Sequence, residues 1–217
     1  MKQLLSLAIL SFVMLTSAFA AEDSQPAINP GDTATADVAG ASQVPQQPKP
    51  LRFLLGAGLT FGGDTLVTVR YTDGSSDSIS AGDGLMLYGG LDYRLDDAIS
   101  FQGTLGYHFD STKPASNGKM TFSRIPLELL AYYQLSDAFR LGGGVRIVTG
   151  PKLEGSGIAS NANWAFDNTV GMVIEGEYLL HRTFGIKLRH VSENYRPSGS
   201  PVTLNGSHFG VLANLYF

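Results

Sequence analysis

Residues 85–108 read LMLYGGLDYRLDDAISFQGTLGYH. On either side of Asp96-Asp97 the chain alternates strictly. Leu85, Leu87, Gly89, Leu91 and Tyr93 share one phase, while Met86, Tyr88, Gly90, Asp92 and Arg94 share the other. After the turn, Ile99, Phe101, Gly103, Leu105 and Tyr107 alternate with Ser100, Gln102, Thr104, Gly106 and His108. Side chains that switch character with period two belong to β-strands, whose successive residues point to opposite faces. A short acidic pair between two such runs reads as a tight hairpin turn.

The same pattern repeats outward from this hairpin. Eight alternating runs are expected, near 51–62, 84–95, 98–109, 119–135, 138–149, 164–181, 183–195 and 206–217. Each is long enough to cross a hydrocarbon layer as a tilted strand. The connections alternate in length. Asp96-Asp97, Ser136-Asp137 and His181-Arg182 centre tight turns, whereas longer polar segments lie near 63–83, 110–118, 150–163 and 196–205. Short turns at one end and long loops at the other predict an all-β, eight-stranded antiparallel up-and-down transmembrane β-barrel. With an even strand count both termini lie on the periplasmic side and the four long loops face outside. In the first loop, Thr65–Tyr71 and Ser76–Ile79 flank Asp73-Gly74 and predict an exposed hairpin. A weak repeat of Tyr93, Tyr133 and Tyr178, each opening a turn, suits one hairpin plus one loop per unit.

Two orientations of the barrel are open: a soluble, lipocalin-like barrel with a dry core, or a membrane barrel with its apolar face outward. The charges favour the second. Asp92, Arg94, Arg124, Glu128, Arg140, Arg146, Glu175, Glu177, Lys187 and Arg189 fall on the polar phase and form a candidate lumen charge network. Phe53, Tyr93, Phe101, Tyr133, Phe139, Tyr178, Phe184 and Phe217 fall on the apolar phase near the tight-turn end, where an interfacial aromatic girdle is expected. Glu128 and Arg146 come opposite each other across the turn at Asp137, and Glu175 and Glu177 face Lys187 and Arg189 across the turn at His181-Arg182. An eight-stranded barrel has room inside only for side chains. Paired charges would therefore plug it, and a narrow polar conduit is the alternative.

The N-terminus supplies the address. Lys2 precedes an apolar run from Leu4 to about Leu15, and Ser17-Ala18-Phe19-Ala20 carries small residues at −3 and −1 of a cut after Ala20. This is the pattern of a cleaved secretory signal peptide, residues 1–20. Residues 21–50 hold five of the prolines and no aromatic residue, and predict a disordered periplasmic segment ahead of the barrel, residues 51–217. Removing Lys2 takes the net charge from −4 to about −5, so no basic excess points to nucleic acid. The chain has no cysteine, which excludes disulfides, thiolate chemistry and a lipoprotein anchor. No cofactor motif is present, and His108, Asp110 and His208 are too sparse to predict a metal site.

Residues 51–217 resemble the small outer-membrane barrels that include OmpA, OmpX, OmpW and the opacity proteins. The carriers are 124–133 (RIPLELLAYY), Gly142-Gly143-Gly144, and Ser207-His208-Phe209-Gly210 leading to Phe217. The resemblance implies outer-membrane lipid and lipopolysaccharide as surroundings, and a terminal phenylalanine offered to the barrel-assembly machinery. Pro126 departs from an ideal mid-sheet strand because it cannot donate to the ladder, and predicts a distortion there. His190 and Ser192 share the lipid-facing phase near the outer end. They resemble the His-x-Ser pair of lipid A deacylases, which would make Ser192 a nucleophile and His190 its base. The pattern departs at Glu193, where those enzymes carry asparagine, and the last strand offers Asn205 and Ser207 in place of an acidic orienter. The leading expectation is a non-enzymatic barrel acting structurally or through its loops. A narrow channel for small or apolar solutes comes second, and a lipid A hydrolase third.

Overall fold

A computed structural model describes residues 50–71, 74–112, 118–157 and 159–217. The expectations for the signal peptide and for residues 21–49 lie outside the described residues, as does Asp73. Eight long strands build the barrel: β1 (Leu51–Gly62), β2 (Gly84–Arg94), β3 (Ile99–Ser111), β4 (Gly118–Ser136), β5 (Phe139–Gly157), β6 (Thr169–His181), β7 (Phe184–Ser192) and β8 (His208–Tyr216). Every neighbour along the chain pairs antiparallel. The pairing of β1 with β8, from Leu54↔Tyr216 to Gly62↔His208, closes the ring. Closure removes both sheet edges, which is what allows strands to cross a membrane.

The tight turns form where the sequence places them. Asp96 Oδ1 accepts from the backbone N–H of Ala98 (2.8 Å) and Ile99 (2.7 Å), an Asx turn that reverses the chain between β2 and β3. Pro50 enters the sheet through its carbonyl, which accepts from Arg94 N at 2.6 Å.

The faces sort as alternation requires. Leu55, Leu59, Leu105, Leu129, Ile174, Leu188 and Phe209 stand exposed on the outside. Met86, Gln102, Glu128, Arg140, Arg146, Glu177, Lys187 and Asn214 are buried inside. A soluble barrel would bury the first group, so the exterior is built for hydrocarbon.

Two boundaries differ from the sequence reading. Residues 150–157, expected in a loop, continue β5, and Asn163–Ala165 pairs back onto Lys152–Glu154. Gly150-Pro151 reads as a turn but forms a bulge. Between Ser123↔Lys152 and Ile125↔Thr149, β5 carries one residue more than β4, and Gly150 absorbs it at φ 57°. Strand β6 starts at Thr169 and not at 164, because Phe166 leaves the ladder to bridge Pro197. At Pro126 the β3–β4 ladder skips from Leu105↔Leu127 to His108↔Arg124, leaving Gly106-Tyr107 unpaired against Ile125-Pro126.

Above the bulge the exposed outer side chains turn charged, with Lys152 and Glu154 ion-paired at 3.0 Å. The strand extensions therefore stand outside the apolar belt. Their inner faces join the loops in a second core of Ile79, Met120, Phe122, Val148, Leu153, Phe166 and Tyr195. The first-loop hairpin, Thr65–Arg70 with Ser76–Ser80, contributes Ile79 and packs Leu66, Val67 and Val69 against it.

The Gly142-Gly143-Gly144 run shows why glycine sits in this wall. A Cβ on Gly142 would lie 2.4 Å from the Tyr132 ring, whereas one on Gly143 would meet nothing closer than 3.6 Å. Gly142→Ala is expected to destabilise the barrel by about 1–3 kcal/mol by overpacking, with Gly143→Ala close to neutral. Urea midpoints of the two variants check this, and equal midpoints would refute it.

Candidate functional site: the barrel interior and its outer mouth

Every inward position on β2, β4, β5, β6 and β7 faces the same narrow space, so their polar side chains meet there. Toward the tight-turn end, Asp92 takes Arg52 at 2.6 Å and Arg140 at 2.9 Å. Arg140 also reaches Glu177 at 2.7 Å, and donates to Ser100 Oγ and the Tyr216 hydroxyl. In the middle, Lys187 pairs with Glu175 at 2.7 Å and Arg189 with Glu128 at 2.8 Å. Farther out, Arg146 joins Glu128 (2.5 Å) to Glu193 (2.9 Å). Tyr132 links the levels. Its hydroxyl donates to Glu175 and accepts from Lys187, while its ring lies 4.2 Å beneath the Arg140 guanidinium.

The backbone registers are Glu128↔Arg146, as the turn at Asp137 predicts, and Glu177↔Lys187 and Glu175↔Arg189, set by a bulge at Phe184-Gly185. The ion pairs follow these only in part. Lys187 binds Glu175, one residue pair farther along, and leaves Glu177 to Arg140 on the other neighbouring strand. Side-chain reach across a crowded interior decides this, and register alone does not.

Nine of the ten residues expected in the network are buried inside. Arg94 is half-buried and forms no ion pair among the described residues. Arg124 is fully buried but has no carboxylate within ion-pair distance among them; its Nη2 contacts His108 Nε2 (3.0 Å) and the Asp83 carbonyl (3.3 Å). Participants outside the expected ten include Arg52, Glu193, Tyr132, Asn214 and Tyr216. All sit on the inward phase of their strands, and that parity is the signal that could have found them.

The eight girdle aromatics lie on the outer surface, exposed or half-buried, with Tyr93 beside Phe101 and Phe139 beside Tyr178. Trp164 lies on the short strand opposite Leu153. The His108 and His208 rings stand 5.4 Å apart at the outer mouth, and Asp110 turns away to accept from Ser111 N at 2.9 Å. No group of three or more potential metal ligands forms among the described residues.

His190 and Ser192 face outward. Their strand neighbours are Ile174, Phe209 and Met172, and the His190 ring packs 4.6 Å from Phe209. Among the described residues the buried His190 Nδ1 has no hydrogen-bond partner, so none of their carboxylates orients it as a base.

No protein-family model matches the chain, and no curated protein matches it. Solved structures do. Ail, the attachment invasion locus protein of Yersinia pestis, in complex with the heparin analogue sucrose octasulfate, matches at 10% identity over 77% of this chain and 99% of that one, with a TM-score of 0.52. The chain is a small outer-membrane-type β-barrel. Neisserial surface protein A matches at 9% identity over 77% and 97%, TM-score 0.47. The outer membrane protein OprG of Pseudomonas aeruginosa matches at 13% identity over 76% and 95%, TM-score 0.40. At these identities the likeness to the barrel is one of fold.

Proposed function

We propose that the chain is exported behind a signal peptide cut after Ala20 and sits in the outer membrane as a non-conducting barrel. Its structured outer loops act at the cell surface, in a structural or partner-binding role. The observation that carries this reading is the interior charge network. It runs from Arg52 at one end to Glu193 at the other and is capped on the outside by the apolar core around Phe122. Each carboxylate in it has a cationic partner, which suits a packed plug, since an unpaired buried charge is costly.

Lipid and lipopolysaccharide cover the outward leucines and the aromatic girdle, the assembly machinery reads Phe217, and residues 21–50 serve as a periplasmic spacer. The loops, together with the β4–β5 strand extensions, are the natural contact surface because they stand above the apolar belt. His190 and Ser192 are read as polar residues at headgroup level, with no catalysis assigned to them.

Reconstituted in a planar bilayer, the chain is expected to give no stable single-channel steps. Steady unitary conductance would overturn the plugged reading. It would favour a second one, a narrow path for apolar solutes. That reading draws on one observation, the ladder gap at Gly106 and Pro126, which borders an apolar depression of about 530 Å³ lined by Leu55, Leu87, Leu105, Tyr107 and Ile125.

A further inference from the structure

Arg124 is the exception in the interior. Five cations, Arg52, Arg140, Arg146, Lys187 and Arg189, share five carboxylates, Asp92, Glu128, Glu175, Glu177 and Glu193. Arg124 is a sixth cation, 0% exposed, and takes no part in that sharing. Among the described residues its Nε and Nη1 have no hydrogen-bond partner. The nearby acids each accept a backbone N–H. Asp83 Oδ1 accepts from Gly62 N at 2.6 Å, and Asp110 Oδ1 accepts from Ser111 N.

The contacts that Arg124 does make deepen the imbalance. Its Nη2 faces His108 Nε2 at 3.0 Å, and Arg146 Nη2 faces His108 Nδ1 at 3.1 Å. A neutral imidazole has one acceptor nitrogen and one N–H. Whichever tautomer His108 adopts, one of the two guanidinium N–H groups meets a ring N–H. Around Arg124 and His108 the described residues thus offer more N–H donors than acceptors, and Arg124 has no carboxylate within ion-pair distance among them. The Phe122 ring, 4.8 Å from the Arg124 guanidinium carbon, and the Tyr195 ring, 5.9 Å from it, line the site without accepting in-plane hydrogen bonds. A buried, unsatisfied cation costs several kcal/mol on order of magnitude, so such a group is normally compensated.

We infer that Arg124 binds one small monovalent inorganic anion of the halide class beneath the outer cap, on one of its two unpartnered edges, Nε–H or Nη1–H. A fully buried guanidinium without a carboxylate of its own among the described residues is complemented by a single negative charge. Full burial under the aromatic cap calls for an ion of chloride size, without an organic body.

The test uses the full chain, membrane-extracted and crystallised in bromide. The expected result is an anomalous bromide peak in hydrogen-bond contact with the Arg124 guanidinium, absent in Arg124→Gln. A second measurement compares thermal unfolding in chloride and in gluconate at equal ionic strength. The wild-type midpoint should be higher in chloride, because a ligand bound only by the folded state raises stability by mass action. No peak, a water in its place, or a peak that survives in Arg124→Gln would overturn the assignment. If Arg124→Gln does not fold, the wild-type pair decides: a peak together with a chloride-dependent midpoint upholds the site, and the absence of either sinks it.

Discussion

Arg140→Leu is expected to destabilise the folded barrel by about 3–5 kcal/mol, the usual consequence of removing one partner from a buried ion pair. Arg140 is 1% exposed and binds both Asp92 and Glu177. Without it, Asp92 retains Arg52. Glu177 keeps only neutral donors, Asn214 Nδ2 at 3.0 Å and the Tyr216 hydroxyl at 2.5 Å. Most of the loss should therefore come from Glu177. Adding Glu177→Gln removes the stranded charge and should recover part of the stability, a non-additivity expected of residues in direct contact. Urea unfolding in vesicles, read by the gel shift between folded and unfolded barrel, measures both. A single variant as stable as the wild type would show that the network is solvated and not part of a packed plug.

Phe122→Ala should be nearly as severe but confined to the outer end. The ring is fully buried, 5.4 Å from Phe166 and 5.6 Å from Tyr195 in edge-to-face contacts. Truncating a buried phenylalanine costs about 3–5 kcal/mol. The outer cap has its own core, while the sheet beneath is held by ladders that Phe122 does not serve. The loss should thus appear as faster amide exchange and protease nicking in the loops near 65–80 and 194–207, with the barrel gel shift retained. Unchanged protection would mean that the cap is not a cooperative unit. A lost gel shift would mean that it is inseparable from the barrel.

The strands were legible because hydrocarbon imposes a simple rule. Along β2, and along β3 as far as Phe109, every outward residue is apolar or glycine, so period two is visible without any structure. The candidate site was legible only in part. Parity placed Glu128, Arg146, Glu175, Glu177, Lys187 and Arg189 inside. The same parity holds for Arg52, Glu193 and Tyr132, but their surroundings mask it: Arg52 lies at a strand end, Glu193 beside the His190–Ser192 pair, and Tyr132 in an aromatic run. The outer cap was hidden. Gly150-Pro151 is a turn signal in one dimension, and nothing local distinguishes it from a bulge that lets β4 and β5 continue.

By itself, then, the sequence determined the strand count, the direction of each face, the tight turns and the register Glu128↔Arg146, because each follows from alternation between two solvents along a local segment; the register Glu177↔Lys187 depends on a bulge at Phe184-Gly185. Only the tertiary structure decided which cation binds which carboxylate, that the extended β4–β5 hairpin builds a second core with the loops, and that Arg124 is left without an acid. Those outcomes depend on side chains from strands far apart in sequence converging in one narrow lumen, where reach and crowding choose among partners that register alone leaves equivalent.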